Sequence, residues 1–233
     1  MREDDGAAGG TATLPQVTRH LGTTLRSRDT WLVAAIAALF YFAPGIATAL
    51  FYRQQNLLHL GTRGQGFLVF LNGVFGVLAA VLYGTFAARR FTLRTLLVVC
   101  LLFGAAGDFG YFFYSSVPRA WVIDSCWGFG YTLAEVALMH LMVRASPRGG
   151  EAFAFALLVA VRNVCLYGAD WFGAGLMDRF HVQFRTLVTT NALTSLLAVP
   201  LVWLLPAALV SVRDARVSAA REPPPAPLRT VQE

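Results

Sequence analysis

The 233-residue chain contains no lysine; all 19 of its basic residues are arginine. That absence removes the Gly-rich phosphate loop, which needs a lysine to reach the phosphates, and no HExxH or GxSxG run is present either. Charge of both signs is scarce, at 14% of residues against 56% hydrophobic ones, which lies outside the range of a soluble globular domain. Cysteine is almost missing. Cys100, Cys126 and Cys165 fall inside apolar runs without CxxC spacing, so they read as packing residues and exclude a disulfide framework or a zinc site. No basic stripe with interleaved aromatics exists to hold nucleic acid, and the net charge of +6 is therefore read through membrane topology. The opening MREDDGAAGG has no apolar core, so no cleavable signal peptide is expected and the first apolar run must drive insertion.

What the chain has is apolar length, and it predicts an all-α integral membrane protein with six transmembrane helices between residues 31 and 210. The spans are expected at about 31–52, 66–88, 95–114, 120–143, 152–177 and 187–210. Residues 1–30 read as a polar arm with a short interfacial helix near Leu14 to Arg26, and residues 211–233, with their PPPAP run, as a disordered tail. Pro44-Gly45 should break the first span near its middle, which lipid tolerates only where neighbours satisfy the freed backbone groups. Gly73, Gly76, Ala79 and Ala80 offer a small-residue face on the second span. With six spans both termini share a side. The side holding the termini and the second and fourth loops carries 13 arginines against 5 on the other, so the positive-inside rule makes both termini cytoplasmic, in a plasma or inner membrane.

Within these spans lie ionisable residues that cost roughly 2.5 kcal/mol or more at mid-membrane unless they face protein or water. Asp124, Gly128, Tyr131 and Glu135 recur at four, three and four residues and so share one face of the fourth span. Asn163, Tyr167 and Asp170 share a face of the fifth, with Arg162 at its edge. These two stripes are expected to face each other around a substrate or ion pathway, with Arg162 opposite Glu135 or Asp124. Alternatives stand beside that reading: Asp124 as an N-cap, Arg162 and Asp170 as a structural ion pair, Asp108 snorkelling or bonded to a neighbour, and His140 at headgroup level. His140 has no Cys or Ser at motif spacing, so an enzyme is not expected, and nothing calls for a cofactor or metal.

The run Pro147-Arg148-Gly149-Gly150-Glu151-Ala152, followed by Phe155-Ala156-Leu157-Leu158 and Asn163, resembles the loop and eleventh helix of the folate-biopterin transporter family of the major facilitator superfamily. Asp124-Ser125 and the closing SLLAVPLVWLLP resemble parts of that family's last helices, and YGTFAARRFTLRTLL resembles the superfamily's Arg-bearing cytoplasmic loop. The resemblance covers Trp31 to Pro206 and matches one six-helix half of a twelve-helix transporter. It implies that the first, second, fourth and fifth spans line a cavity while the third and sixth support them from outside. Arg162 stands where that family is expected to carry a small residue, which favours an anionic ligand. The function this implies is secondary transport of a small organic anion, folate- or pteridine-like, coupled to protons through Glu135 or Asp170. A single half would need a partner, either a second copy or a separate six-helix bundle. The alternatives are a membrane scaffold or vestigial half-transporter without flux and, further off, an integral membrane enzyme.

Overall fold

A computed structural model describes residues 22, 24–42, 45–146 and 150–210. Most of the expected arm, the tail, Pro44 and the 147–149 loop lie outside the described residues. Among the described residues every regular element is helical: α1 (Arg28–Tyr41), α2 (Ala47–Asn56), α3 (Thr62–Leu82), α4 (Leu93–Gly110), α5 (Val117–Ala145), α6 (Glu151–Phe180), α7 (Phe184–Trp203) and α8 (Ala207–Val210). Five helical stretches, from α3 to α7, are long and apolar enough to cross a membrane. The chain is an all-α membrane protein. The apolar run around Pro44-Gly45 forms two shorter helices, α1 and α2.

Local chemistry sets most helix ends. Ser27 and Thr92 accept the backbone N–H groups of Thr30 and Thr95, each at 3.3 Å, and so cap α1 and α4. Pro118 lies in the first turn of α5, where its missing N–H removes no intrahelical bond. His181 ends α6 in the left-handed conformation at φ 53°, and the Val182 N–H returns to the Leu176 carbonyl, closing the helix with a six-residue reversal. A π-helical turn over Tyr83–Ala87 interrupts the end of α3, and it coincides with a contact between buried Tyr83 and α5, where Tyr83 Oη lies 2.9 Å from His140 Nδ1.

Two apolar clusters form the interior. One joins Ile36 and Ala37 of α1, Leu97 and Leu101 of α4, Leu138 and Leu141 of α5 and Val202 of α7. The other joins Ile46, Ala49, Leu68, Tyr111, Leu187 and Val188. Outward-facing Phe70 and Val77 on α3 are exposed, as side chains meeting lipid should be.

Helix α5 packs chiefly against α3 and α4, whereas α6 packs chiefly against α1 and α2. The expected side-by-side pairing of the fourth and fifth spans is thus corrected: both helices meet the first span, and touch each other sparingly. Small residues decide the α3–α5 approach. A Cβ on Gly128 would come within 2.5 Å of the Asn72 carbonyl oxygen, and one on Gly76 within 2.7 Å of Thr132 Oγ1. Gly73, expected on the same face as Gly76, is exposed with open space around it, and the packed face runs through Asn72, Gly76, Ala79 and Tyr83 instead. Gly128→Ala should therefore cost about 1–3 kcal/mol by forcing two backbones apart. Gly73→Ala should leave stability unchanged, and thermal unfolding in detergent compares the two.

Candidate functional site

A cavity of about 310 Å³ lies between the two apolar clusters, bounded by Phe40 and Tyr41 of the first and by Ile46, Leu68 and Tyr111 of the second. Every long helix contributes to its wall. The third and sixth spans, expected to stand outside as supports, supply Gly104 and Asp108 from α4 and Asn191 and Ser195 from α7. The reason is visible in spacing: Gly104, Asp108 and Tyr111 recur at four and three residues, and Asn191 and Ser195 at four, so each set forms one inward face.

Asp124, the first of the predicted site residues, lines the cavity and is 4% exposed. Tyr111 and Tyr114 donate their hydroxyls to its two carboxylate oxygens at 3.1 and 2.7 Å, and Gln54 donates to the Tyr114 hydroxyl at 2.9 Å. It lies within α5, two turns past its start, and does not cap it. Tyr131, one face further along, stacks between Trp127 (centroids 4.7 Å apart, planes at 16°) and Phe40 (5.6 Å, 24°). The result is an aromatic ladder along one wall, extended edgewise by Tyr111 against Trp127.

Glu135 and Arg162 form an ion pair between α5 and α6, with their side chains 23% and 19% exposed. Arg162 also donates to Asn163 Oδ1 at 2.9 Å and sets its guanidinium 5.0 Å from the centre of the Tyr41 ring. Tyr41 lines the cavity, so the pair stands behind that ring, outside the cavity wall.

The predicted stripe of α6 does not stay together. Asn163 is exposed and Tyr167 is 74% exposed, both away from the cavity. Asp170 does reach the wall, but its carboxylate is committed: Thr48 N–H and Thr48 Oγ1 donate to its two oxygens at 3.1 and 2.8 Å. It caps the first turn of α2 from a neighbouring helix and so satisfies part of the backbone freed at the break. The Gly45 N–H, bonded to the Ala169 carbonyl at 2.9 Å, satisfies another part. The alternative of an Arg162–Asp170 pair is replaced by Arg162–Glu135 and Thr48–Asp170.

Sequence reasoning undervalued Asp108 and missed Trp127. Asp108 is 5% exposed, faces the cavity, and accepts the Trp127 Nε1–H at 2.9 Å, so of the two expected alternatives it is bonded to a neighbour and does not snorkel. The signal that could have found it is the same periodicity that singled out Asp124, applied to the third span. Among the described residues no group of three His, Cys, Asp or Glu side chains could hold a metal ion.

An all-helical membrane bundle around a mainly apolar, aromatic-walled cavity with a few polar side chains is an architecture suited to handling a solute within the bilayer. The chain matches the BT1 family over residues 9–223, and the protein belongs to that family, the folate-biopterin transporters. Comparison with curated proteins gives no match.

Proposed function

We propose that this protein is a secondary transporter of the major facilitator type that carries a small folate- or pteridine-like organic anion, coupled to protons through Glu135. Family membership supports the general reading, and the cavity supports its placement: side chains from every long helix wall it, and rings from α1 and α5 offer a flat surface to a ring system. Its volume of about 310 Å³ suits one ring system, since ligand pockets run from roughly 300 to 1,000 Å³.

The Glu135–Arg162 pair supplies a coupling device. Arg162 stays charged at any physiological pH, whereas a proton arriving on Glu135 cancels the attraction. The freed guanidinium then meets an anionic group of the substrate, and loss of the proton restores the pair. Asp170 is the poorer coupling group because Thr48 holds both of its oxygens.

A second six-helix bundle, either another copy or a separate protein, completes the pathway, because rocking-type alternating access needs two bundles. Exposed Asn163 and Tyr167, beside a partly exposed ion pair, favour α6 as part of the covered face, since an amide in contact with acyl chains is unfavourable. The arginine bias favours cytoplasmic termini in the plasma membrane. The test is uptake of labelled folate or pterin-carboxylate into proteoliposomes under an imposed pH gradient. Glu135→Gln should retain exchange but lose gradient-driven accumulation by tenfold or more, and gradient-driven accumulation at the wild-type level would refute the coupling role.

A further inference from the structure

Among the described residues the cavity wall contains three carboxylates, Asp108, Asp124 and Asp170, and no arginine or histidine. An anionic group placed there would meet acceptor oxygens and no cationic side chain of the described residues, so the part of any ligand that enters is not the anionic part. The three carboxylates differ in how far the protein itself satisfies them. Both oxygens of Asp124 accept tyrosine hydroxyls, and both oxygens of Asp170 accept from Thr48. Asp108 receives one hydrogen bond, from Trp127 to Oδ1, and its Oδ2 has no protein donor among the described residues. This side chain is more than nine-tenths buried at the cavity wall. That oxygen stays accessible at the wall of a mainly apolar cavity, and a ligand N–H is the group that would satisfy it.

The surface around it says what carries that N–H. Trp127 and Tyr131 stack at 4.7 Å, Phe40 continues the ladder, and the indole edge of Trp127 is fixed by the same Asp108 that would take the ligand's proton donor. A flat ring lies well against such a wall, and a carboxylate at its edge selects rings bearing adjacent N–H groups. We infer that Asp108 is a specificity-determining residue that accepts the N–H edge of a planar, amino-substituted heteroaromatic ring seated against the Phe40–Tyr131–Trp127 ladder. This deepens the transporter reading by naming the end of the solute that enters the cavity. It rests on that reading only for the claim that the bound ring is then moved.

Equilibrium binding to the full chain in lipid nanodiscs, followed by calorimetry, tests it with two probes. Pterin presents an amino group beside a ring N–H, whereas lumazine carries a carbonyl in place of that amino group. Wild-type protein should bind pterin at least tenfold more tightly than lumazine, and Asp108→Asn, which keeps the shape and the acceptor for Trp127, should weaken pterin at least tenfold while leaving lumazine within about twofold. Equal affinity for the two probes, no pterin binding, or wild-type pterin affinity in Asp108→Asn would each overturn the inference. Should the variant not fold, the wild-type comparison of the two probes decides alone. Pterin binding that depends on Asp108 without any uptake would sink the transport reading and leave this one standing, and uptake indifferent to Asp108 would do the reverse.

Discussion

Gly173→Ala is expected to abolish the folded protein, although it adds a single methyl group in the middle of a good helix. A Cβ at Gly173 would fall on the carbonyl oxygen of Gly45, and one at Gly45 would fall on the backbone of Asp170. These are main-chain atoms, so no rotamer change can make room. Nor can the segment before α2 move aside at low cost. The Gly45 N–H is bonded to the Ala169 carbonyl, and Thr48 holds Asp170 through two hydrogen bonds, so the same displacement would release three of them at once. Overpacking of this kind costs about 3 kcal/mol or more where backbone must shift, to which the lost bonds add in a setting without water to replace them. Gly175→Ala, two residues on, meets nothing within 4 Å and should be neutral or slightly stabilising through helix propensity. Comparison of monodisperse yield and thermal midpoint for the two variants checks the claim, and equal behaviour would mean that the α2–α6 crossing is not as close as described.

Removing one member of the Glu135–Arg162 pair should be asymmetric in its cost. Glu135→Leu leaves a guanidinium that cannot shed its proton, facing an apolar interior and the Tyr41 ring. Loss of one partner from a buried pair typically costs roughly 3–5 kcal/mol, and this partly exposed pair should lie at or below the lower end. Arg162→Leu leaves a carboxylate, a smaller group with a neutral form open to it, so its cost should be smaller. The double variant removes both charges and should recover most of the stability of the wild type while losing gradient-driven uptake. Thermal unfolding of the three variants reads this directly. Arg162→Leu as unstable as Glu135→Leu would show that the guanidinium is needed for packing through Tyr41 and Asn163, and not chiefly as a counter-charge.

Much of this architecture is legible in the chain because lipid imposes simple rules. An apolar run long enough to cross has to be a helix, and Pro44-Gly45 in such a run has to interrupt it, which is why α1 and α2 are separate helices around that point. Periodicity of 3.6 likewise places Asp124, Gly128 and Tyr131 on one side of α5 without any coordinates. The same rule applied to α6 groups Asn163, Tyr167 and Asp170, yet only Asp170 reaches the cavity. A face read from spacing is about a third of a helix wide, and rotation of the helix by part of a turn turns one edge of it inward and the other out.

The sequence alone determined that the chain is helical, that it lies in a membrane, where its first span breaks, and that its few charges need partners, because each follows from the cost of exposing polar groups to hydrocarbon. Only the tertiary structure decided who those partners are. In water, a soluble helix shows which side is buried by being polar on the other, but here the outward arcs of α4, α5, α6 and α7 are largely apolar as well as the inward ones. Which arc of each faces inward is set by close approaches such as Gly128 on Asn72 and Gly173 on Gly45. Those contacts give Asp170 to Thr48, Glu135 to Arg162 and Asp108 to Trp127, pairings between residues 122, 27 and 19 positions apart that no local pattern encodes.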